Sequence, residues 1–241
     1  MPFPYDLPFM WSDSIASIEE TWDTIAASFD TTRRTPWPPC LEFIDSLPKQ
    51  TKVVDIGCGN GRHLLPAIHH CQKAIGVDLS FQLLSIVQQK LKQERITTVD
   101  LVHASATHLP LKDTTVDTVL YIAALHNIEG RDNRIQSLKE VKRVLKSGGT
   151  ALISVWSRWQ DNYRTQFFKR WFTKQGTHEF GDIDIYWRQH GLNIPRFYHL
   201  YSKREFERDL CQARLTIIDM QELKLRSKKH PDNYFATVKS I

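Results

Sequence analysis

One stretch, from Val53 to Gly61, limits the possible folds more than any other part of the sequence. A run of apolar residues contains the acid Asp55 and is followed by three glycines at the alternate positions 57, 59 and 61. Glycine adopts positive φ angles without steric cost and lets a ligand approach the backbone closely. The stretch therefore predicts a buried strand, a tight ligand-binding loop and then a helix over residues 60–70.

The spacing of the glycines separates this loop from two common phosphate-binding loops. A dinucleotide fingerprint would have its third glycine one position later, and a P-loop would continue as Gly-Lys-Ser/Thr. A second apolar run ends in Asp78, 23 residues after Asp55. An acid at the end of this next strand can accept hydrogen bonds from both ribose hydroxyls of an adenosine cofactor. The alternative is a glycine turn and a helix N-cap at Asp78 to Ser80 without a ligand.

Short apolar runs alternate with stretches of helical periodicity along most of the chain. Such alternation predicts an α/β fold, in which a mostly parallel sheet carries helices on both faces. Ligands of such sheets bind at the carboxyl ends of the strands, where Gly57, Asp78, His126 and Trp156 fall. The predicted strands cover residues 53–56, 74–78, 98–103, 116–122, 150–156, 215–220 and 234–238, and the predicted helices cover 12–29, 60–70, 81–93, 135–145 and 202–213.

The length and composition limit the class of protein. The 241 residues are enough for one sizeable domain with additions. There is no run of about 18 apolar residues, so no membrane span is predicted. The start, Met1 to Asp6, lacks the basic and apolar regions of a signal peptide. Four cysteines without a C-x-x-C pair argue against a metal site or a disulfide framework, and we expect a cytoplasmic protein.

The net charge of +5 is unevenly distributed along the chain. Residues 1–157 hold 16 Lys and Arg against 17 Asp and Glu, whereas residues 158–230 hold 15 against 9. The later segment is also rich in aromatic residues up to residue 200. A localised positive surface can bind nucleic acid, or it can be a solvated surface without special function.

Five motifs in one order carry a closer resemblance, which covers roughly residues 20–240. The glycine loop resembles motif I of class I S-adenosylmethionine (SAM) methyltransferases. The motifs are Phe29-Asp30-x-Thr32-Arg33-x-x-Pro36-Trp37-Pro38, Asp55-Ile56-Gly57-Cys58-Gly59-Asn60-Gly61, Ile122-Ala123-Ala124-Leu125-His126-Asn127, Gly148-Gly149-x-Ala151-Leu152-Ile153-x-Val155-Trp156 and Arg196-x-Tyr198-His199-Leu200-Tyr201. The whole set is similar to the tRNA wobble-uridine carboxymethyl methyltransferases, which include the methyltransferase half of the eukaryotic AlkB-homologue fusion.

The resemblance implies a class I SAM methyltransferase fold. This fold has a seven-stranded, Rossmann-like sheet that is mostly parallel and ends in an antiparallel hairpin, with helices on both faces. We treat residues 1–241 as a single methyltransferase domain. Its parts are an N-terminal helical extension with a substrate loop (1–50), a SAM-binding core (51–157), a basic aromatic insertion (158–200) and a C-terminal helix with the hairpin (201–241).

The resemblance also implies the reaction, which is esterification of the carboxylate of 5-carboxymethyluridine at the tRNA wobble position. A carboxylate with a pKa near 4 is already ionised at pH 7, so no strong general base is required. The enzyme mainly has to align the reactants and to hold the carboxylate with cations, for which arginine is well suited.

The resemblance assigns SAM binding to the glycine loop and to the loops after the next three strands. Ser105 stands where the family usually has an aspartate that would hold the adenine amino group. A serine accepts a hydrogen bond without a charge, so we expect weaker SAM binding. The predicted cofactor-binding residues are Asp55, Gly57, Cys58, Gly59, Asn60, Gly61, Asp78, Leu79, Ser105, Ala106 and Ile122.

For the methyl acceptor, Arg33 is our first candidate for the cation that holds the carboxylate, and Arg196 is the second. His126 is predicted to orient the carboxylate or the base. The family usually has a second histidine where this chain has Asn127. The alternatives are a surface arginine at position 33 and a structural histidine at position 126.

Aromatic residues complete the predicted substrate site. Trp37 and Trp156 are predicted to stack on a splayed anticodon base, although either can equally be a core residue. Tyr198 and His199 are further predicted substrate contacts. The Lys and Arg residues of the segment 158–230 are expected to contact tRNA phosphates and to make binding salt-dependent.

The resemblance further implies a protein partner, a small zinc-binding activator that pairs with an exposed edge strand. Residues 98–103 lie at that edge in the usual strand order. No membrane association is expected. Two other functions stay open: methylation of a small molecule or of another RNA position, and a catalytically silent subunit that binds RNA or a partner.

Overall fold

The computed structural model of the chain describes residues 13–173 and 179–241. The amino-terminal segment on which the signal-peptide prediction rests lies outside these residues, as does the first residue of the predicted helix over 12–29. Within the described part, no helix has the length and apolar character that a bilayer-spanning segment needs.

A seven-stranded sheet forms the centre of the fold, with the strand order β3-β2-β1-β4-β5-β9-β8. The strands β1 to β5 are parallel to one another, and β9 pairs antiparallel with both β5 and β8. The predicted sheet and its C-terminal hairpin are therefore confirmed. The strands are β1 (Lys52–Ile56), β2 (Lys73–Asp78), β3 (Val99–His103), β4 (Val116–Ile122), β5 (Leu145–Trp156), β8 (Thr216–Leu223) and β9 (Asn233–Lys239).

Helices cover both faces of the sheet, because alternate strand residues point to opposite sides. Val54 of β1 belongs to the core cluster that includes Leu138 and Phe206, and its neighbour Val53 belongs to the cluster that includes Leu64 and Val87. The prediction that helices cover both faces of the sheet is thus confirmed. The helices are α1 (Asp13–Thr32), α2 (Pro38–Asp45), α3 (Leu64–His70), α4 (Phe81–Gln93), α5 (Arg131–Val144), α6 (Arg164–Thr173) and α7 (Lys203–Gln212).

The predicted helix over residues 60–70 was wrong at its start. The helix α3 begins at Leu64, because the glycine loop continues as turns through His63. Gly61 has a φ of +81°, which is incompatible with a right-handed helix. The loop therefore extends two residues beyond the last glycine before the helix begins.

The predicted starts of the helix over 135–145 and of the strand over 150–156 were also wrong. Helix α5 begins at Arg131 and ends at Val144, and β5 begins at Leu145 instead of at residue 150. Leu145 pairs with Val116, and the register shifts before Thr118 pairs with Thr150. The Ser-Gly-Gly sequence at residues 147–149 thus lies within an irregular part of β5.

The loop predicted between residues 29 and 39 is shorter than expected. Helix α1 continues to Thr32, and α2 begins at Pro38. Proline is compatible with the first turn of a helix, where its missing N–H group would have no intrahelical partner. Only residues 33–37 remain as the connecting loop, and they carry Arg33 and Trp37.

The segment 158–200 contains more regular structure than the sequence indicates. After α6 it forms a two-stranded antiparallel sheet from β6 (Asp182–Asp184) and β7 (Phe197–His199). A capping box between Ser202 and Glu205 then starts α7. Strand β7 thus carries Tyr198 to the end of the main sheet.

Candidate functional site

A cavity of about 960 Å³ opens at the carboxyl ends of the parallel strands. Its walls include the ends of β1, β2, β4 and β5, together with parts of α1, the segment 185–198 and the loop after β8. This is the edge at which the strand-terminal residues Gly57, Asp78, His126 and Trp156 were predicted to meet, and all four line the cavity.

The glycine loop forms the floor of one half of the cavity. Gly57 has a φ of +66°, and a Cβ atom there would lie 2.4 Å from the Cβ of Ala124. The backbone N–H of Cys58 donates to the carbonyl of Val77 at 3.0 Å, which ties the loop to β2. Any side chain at position 57 would therefore clash with the end of β4 and displace the loop.

Two acids lie beneath and beside this loop. Asp78 accepts hydrogen bonds from the backbone N–H groups of Gly59 at 2.7 Å and of Ser80 at 2.8 Å, one at each carboxylate oxygen. Each oxygen keeps a lone pair for a further donor such as a ribose hydroxyl. Burial raises the pKa of Asp78.

Asp55 lies behind the loop instead of in the cavity wall. Its Oδ2 atom is buried without a hydrogen-bond partner. Burial raises its pKa well above the usual range, and the nearby charge of Asp78 adds to this effect. A buried polar atom without a partner is costly, so Oδ2 is an acceptor suited to a ligand group or an ordered water at the loop.

Most of the predicted cofactor-binding residues line the cavity. Gly61 does not, because it packs against Val87 on the far side of the loop, where a Cβ would lie 3.2 Å from Val87 Cγ2. Together with Asp55 it shapes the loop from behind. The predicted residues that do line the cavity are Gly57, Cys58, Gly59, Asn60, Asp78, Leu79, Ser105, Ala106 and Ile122.

The side chain of Asn60 connects the glycine loop to the end of α1. Its Nδ2 atom donates to Asp30 Oδ1 at 2.8 Å and to the carbonyl of Arg33 at 3.0 Å. Lys90 also donates to Asp30 Oδ1, at 2.6 Å. These hydrogen bonds therefore tie the loop that carries Arg33 to the glycine loop.

The Ser105 hydroxyl lies in the wall at the position predicted for adenine recognition. It shares a hydrogen bond of 2.8 Å with the Thr107 hydroxyl, and its oxygen also accepts a weaker bond from the Thr107 N–H at 3.3 Å. The site thus offers neutral hydroxyls where a carboxylate would offer a charge.

Three rings are packed together in the other half of the cavity. The ring centroids of His126 and Tyr198 are 5.3 Å apart, those of His126 and Trp156 are 5.4 Å apart, and those of Trp156 and Tyr198 are 5.0 Å apart. The structure brings these predicted site residues together from β5, from β7 and from the short 3-10 helix Leu125–Asn127. The neighbouring Asn127 donates to the carbonyl of Phe197, which ties this turn to β7.

His126 is held as a neutral imidazole. Its Nδ1 atom accepts a hydrogen bond from the Trp156 N–H at 3.1 Å, so the proton of the neutral ring is on Nε2. Burial lowers its pKa to about 3, and the charges of His199 and Arg196 contribute. At pH 7 the ring can donate one hydrogen bond but carries no positive charge.

Positive charge in this half comes from Arg196 and Arg33. Arg196 as a whole residue is 7% exposed, and its guanidinium carbon lies over the rings of Tyr198, Trp187 and Trp22, at 5.0, 4.9 and 5.5 Å from their centroids. It donates to the Tyr198 hydroxyl at 2.6 Å, and its Nε is buried without a partner.

Arg33 lies against the other side of this group, with its guanidinium carbon 5.2 Å from the Trp187 centroid. Burial lowers its pKa, and the charges of Arg226 and Arg196 add to the effect. In the described part of the chain, neither Arg33 nor Arg196 forms an ion pair with a carboxylate. Two partly desolvated cations without counter-ions make this half of the cavity suited to an anion.

Trp37 is half-buried and packs edge-on against His63 and Phe235, at centroid distances of 5.7 and 6.0 Å. Arg62 lies over its ring at 4.7 Å, and burial lowers the pKa of Arg62 to about 10. Trp37 thus lines the cavity and also packs against the core.

His199 was predicted to contact the substrate, but it does not line the cavity. It is fully buried outside the cavity wall, with Nδ1 2.6 Å from Asp182 Oδ1 and Nε2 3.2 Å from Glu205 Oε1. Glu205 also pairs with Arg158. These contacts join the insertion to α7, so the surroundings of His199 are those of a structural ion-pair cluster.

Several cavity residues have no signal in the sequence strong enough to assign them. Trp22 fits the apolar periodicity of α1, which is typical of a core residue, and Trp187 lies in an irregular aromatic segment. Arg62 directly follows the glycine motif, and that position was the available signal for it. Cavity residues to which the sequence assigned no role include Trp22, Arg62 and Trp187.

Comparisons with known proteins identify the family. The family profile described as a methyltransferase domain matches residues 54–153. A tRNA (carboxymethyluridine(34)-5-O)-methyltransferase from Schizosaccharomyces pombe is 30% identical over 210 residues, covering 78% of this chain and 83% of that protein. This chain belongs to the tRNA carboxymethyluridine methyltransferase family. The predicted resemblance is therefore confirmed.

Other members of the carboxymethyluridine methyltransferase family are longer. A relative from Xenopus tropicalis is 34% identical over 161 residues, covering 66% of this chain but 24% of that protein. The chain thus spans about a quarter of the length of the first curated relatives that it matches.

Solved structures confirm the predicted fold. A SAM-dependent methyltransferase from Methanosarcina mazei has a TM-score of 0.69 at 20% identity, covering 86% of this chain and 99% of that one. A methyltransferase in complex with the Haloferax volcanii Trm112 activator has a TM-score of 0.62 at 14% identity, covering 91% and 97%. At these identities the likeness concerns the class I methyltransferase fold.

Proposed function

We propose that this chain uses SAM to esterify the carboxylate of 5-carboxymethyluridine at the wobble position of tRNA. One observation carries the proposal: Arg33 and Arg196 lie among aromatic rings in the same cavity as the glycine loop, and no carboxylate of residues 13–173 or 179–241 pairs with either. A pocket with cations and aromatic walls fits a substrate that combines a carboxylate with a flat base.

The glycine-loop half fits SAM. The positive φ at Gly57 leaves room for the amino-acid part of the cofactor, and the free lone pairs of Asp78 suit its ribose. Ser105 and Ala106 would lie at the adenine, with Leu79 and Ile122 as apolar walls. When bound, SAM supplies an electrophilic methyl group that a carboxylate can accept without a general base.

The acceptor half would hold and align the carboxylate. Arg33 and Arg196 are the proposed cations, and the Nε2–H of His126 is a proposed hydrogen-bond donor to the acceptor or its base. A neutral His126 suits this role, because the acceptor is already an anion at pH 7 and no proton has to be removed. These residues would contribute mainly through alignment of the reacting atoms.

The aromatic residues would hold the uracil ring. Trp156, Tyr198 and Trp37 line the cavity, and stacking of a base on such a ring is typically worth roughly 1–3 kcal/mol. Entry of a base requires that it is splayed out of the anticodon stack, which single-stranded loops permit.

The proposed partners follow from surface features. The positive segment 158–230 supports a tRNA substrate, since phosphate contacts require Lys and Arg. Within the described residues, strand β3 pairs only with β2 and forms an edge of the sheet, so residues 98–103 can accept a strand from a small zinc-binding activator. We also propose that residues 1–241 act as one methyltransferase domain and that the reaction takes place in the cytoplasm, in keeping with four unpaired cysteines.

The test is nucleoside mass spectrometry on tRNA that carries unesterified 5-carboxymethyluridine. The protein, with and without the activator, is incubated with this tRNA and isotopically labelled SAM. We expect labelled methyl ester at the wobble uridine. Arg33→Ala and His126→Ala should lower the yield strongly, while the adjacent exposed Arg34→Ala should retain it, because Arg34 lies outside the cavity wall.

The other outcomes distinguish the alternative functions. Label on another nucleoside would keep the methyltransferase activity and replace the substrate. Intact SAM binding without labelled tRNA would point to a small-molecule acceptor. Loss of both SAM binding and labelling would indicate a silent subunit.

A further inference from the structure

The loop between β8 and β9 is the most basic segment beside the cavity. Residues 224–230 contain four Lys and Arg and no acid. Because Trp156 of β5 pairs with Asn233 at the start of β9, the loop lies at the carboxyl end of the parallel strands. Arg226 and Lys228 line the cavity, so the loop forms part of its rim.

Two carboxylates hold the backbone of this loop. Asp232 accepts from the N–H groups of Leu225, Arg226 and Ser227 at 2.8, 2.6 and 2.7 Å. Asp161, which precedes α6, accepts from the next three N–H groups, those of residues 228, 229 and 230, at 2.9, 2.9 and 3.1 Å. Six consecutive backbone donors are thus occupied, and the loop has a defined shape without belonging to a helix or strand.

The side chains of the loop remain available. Arg226, Lys228 and Lys229 are exposed, and none forms an ion pair with a carboxylate in the described residues. Arg226 is close enough to Arg33 for its charge to lower the pKa of Arg33, after the larger effect of burial. Cations that are held near one another without counter-ions attract an anion that can lie between them.

We propose that the loop 224–230 binds the backbone phosphates next to the nucleotide that enters the cavity, through Arg226, Lys228 and Lys229, and that Asp161 positions the loop for this contact. The proposal deepens the proposed function and rests on it. It narrows the phosphate contacts from the whole basic segment to one loop at the rim. Lysine and arginine on a rim of defined shape suit a polyanion whose phosphates are regularly spaced.

The first test compares two triple variants that lose the same charge. One is Arg226→Gln/Lys228→Gln/Lys229→Gln, and the control is Lys169→Gln/Arg204→Gln/Arg208→Gln, which removes three exposed cations of the same basic segment away from the cavity. Dissociation constants for tRNA are measured over a range of salt concentrations. We expect the loop variant to reduce the slope of log affinity against log salt by about 2, and the control by less than half of that.

The second test uses Asp161, where charge and position predict opposite results. Removal of a negative charge beside an RNA site should strengthen RNA binding if charge alone matters. If Asp161 positions the loop, Asp161→Ala should weaken tRNA binding several-fold, although the surface becomes more positive. The affinity for S-adenosylhomocysteine serves as the control for folding and should stay unchanged.

The outcomes separate this inference from the proposed function. Equal slopes for the two triple variants, or tighter tRNA binding by Asp161→Ala, would overturn the loop assignment even if the wild-type protein methylates the wobble uridine. Loop-dependent RNA binding without methyl ester on tRNA would keep the loop assignment and reject the proposed reaction. A wild-type protein that does not bind RNA would reject both.

Discussion

Single residues in the cavity have properties that their surroundings impose. His126 would titrate near pH 6.5 in an exposed position, but burial keeps it neutral here. The Arg196 guanidinium lies over three aromatic rings, and its Nε atom is buried without a hydrogen-bond partner. The same residue types on a surface would be a pH-sensitive group and a solvated cation, so burial determines what each can do.

The depressed pKa of His126 makes stability depend on pH. Its pKa is about 3 in the folded chain and 6.5 when exposed, so between these values the unfolded state binds more protons and stability falls as the pH falls. Between pH 6.5 and 5 the wild-type protein should lose roughly 2 kcal/mol of unfolding free energy more than His126→Gln does. Urea unfolding at pH 7.5, 6.5 and 5 measures the difference, and parallel pH dependences would show that His126 is not buried neutral.

Ser105 permits a gain-of-affinity test. Ser105→Asp would restore a charged acceptor, and a charged hydrogen bond is roughly twice as strong as a neutral one. We expect S-adenosylhomocysteine to bind about fivefold more tightly, corresponding to about 1 kcal/mol. Calorimetry measures the affinity, with Ser105→Asn as the uncharged control of similar size. Equal affinities for the two variants would mean that position 105 does not face the adenine amino group.

At the scale of elements, the acceptor half of the cavity exists because α1 and the insertion meet over the sheet. The ring centroids of Phe29 in α1 and of Trp187 in the insertion are 5.8 Å apart. The Trp187 indole N–H donates to Ser28 Oγ at 2.9 Å, and Ser28 Oγ also lies 2.7 Å from His190 Nδ1. These contacts join residues that are 159 and 162 positions apart in sequence.

Trp187→Phe tests the contact between α1 and the insertion. The substitution keeps an aromatic ring under Arg33 and Arg196 but removes the donor to Ser28, which is worth about 1 kcal/mol. We expect a higher KM for tRNA and an unchanged affinity for S-adenosylhomocysteine, because the glycine loop is not involved. The exposed Tyr186→Phe is the matched control. An unchanged KM would show that the hydrogen bond does not shape the acceptor pocket.

At the scale of the whole molecule, the two edges of the sheet differ. Among the strands that the structure describes, β3 forms one edge and pairs only with β2, whereas β8 forms the other edge. Ala104 N–H donates to the carbonyl of Asp78, so the alternation of a parallel ladder leaves the N–H groups of residues 99, 101 and 103 on the free side. A free row of donors and acceptors can accept an added strand.

Val99→Pro tests whether the activator pairs with β3. Proline removes an outward-facing donor, which an edge strand tolerates better than a central one. We expect loss of co-purification with the activator and retained SAM binding. Ile218→Pro, at the exposed bulge of β8, is the control and should leave the complex intact. Retention of the activator by Val99→Pro would place it on another surface.

The sequence by itself determined the parts that depend on local pattern. The glycine loop, Asp78, the helix Phe81–Gln93 and the strand Val116–Ile122 follow from residue type and periodicity over a few positions, and the motif set was sufficient to indicate the family. Boundaries next to glycine and proline were less predictable, as at Leu64 and Pro38, because these residues permit both turns and helix starts.

Only the tertiary structure decided which side chains share the cavity. Trp22 has the spacing of a core residue and yet lies over Arg196, while His199 belongs to a motif next to Tyr198 and yet faces away from the cavity. Adjacent residues of a strand point to opposite sides, so Tyr198 and His199 cannot share one environment. The shape of the loop 224–230 likewise depends on Asp161, more than 60 positions away. Such contacts arise from packing between distant segments, which local periodicity does not encode.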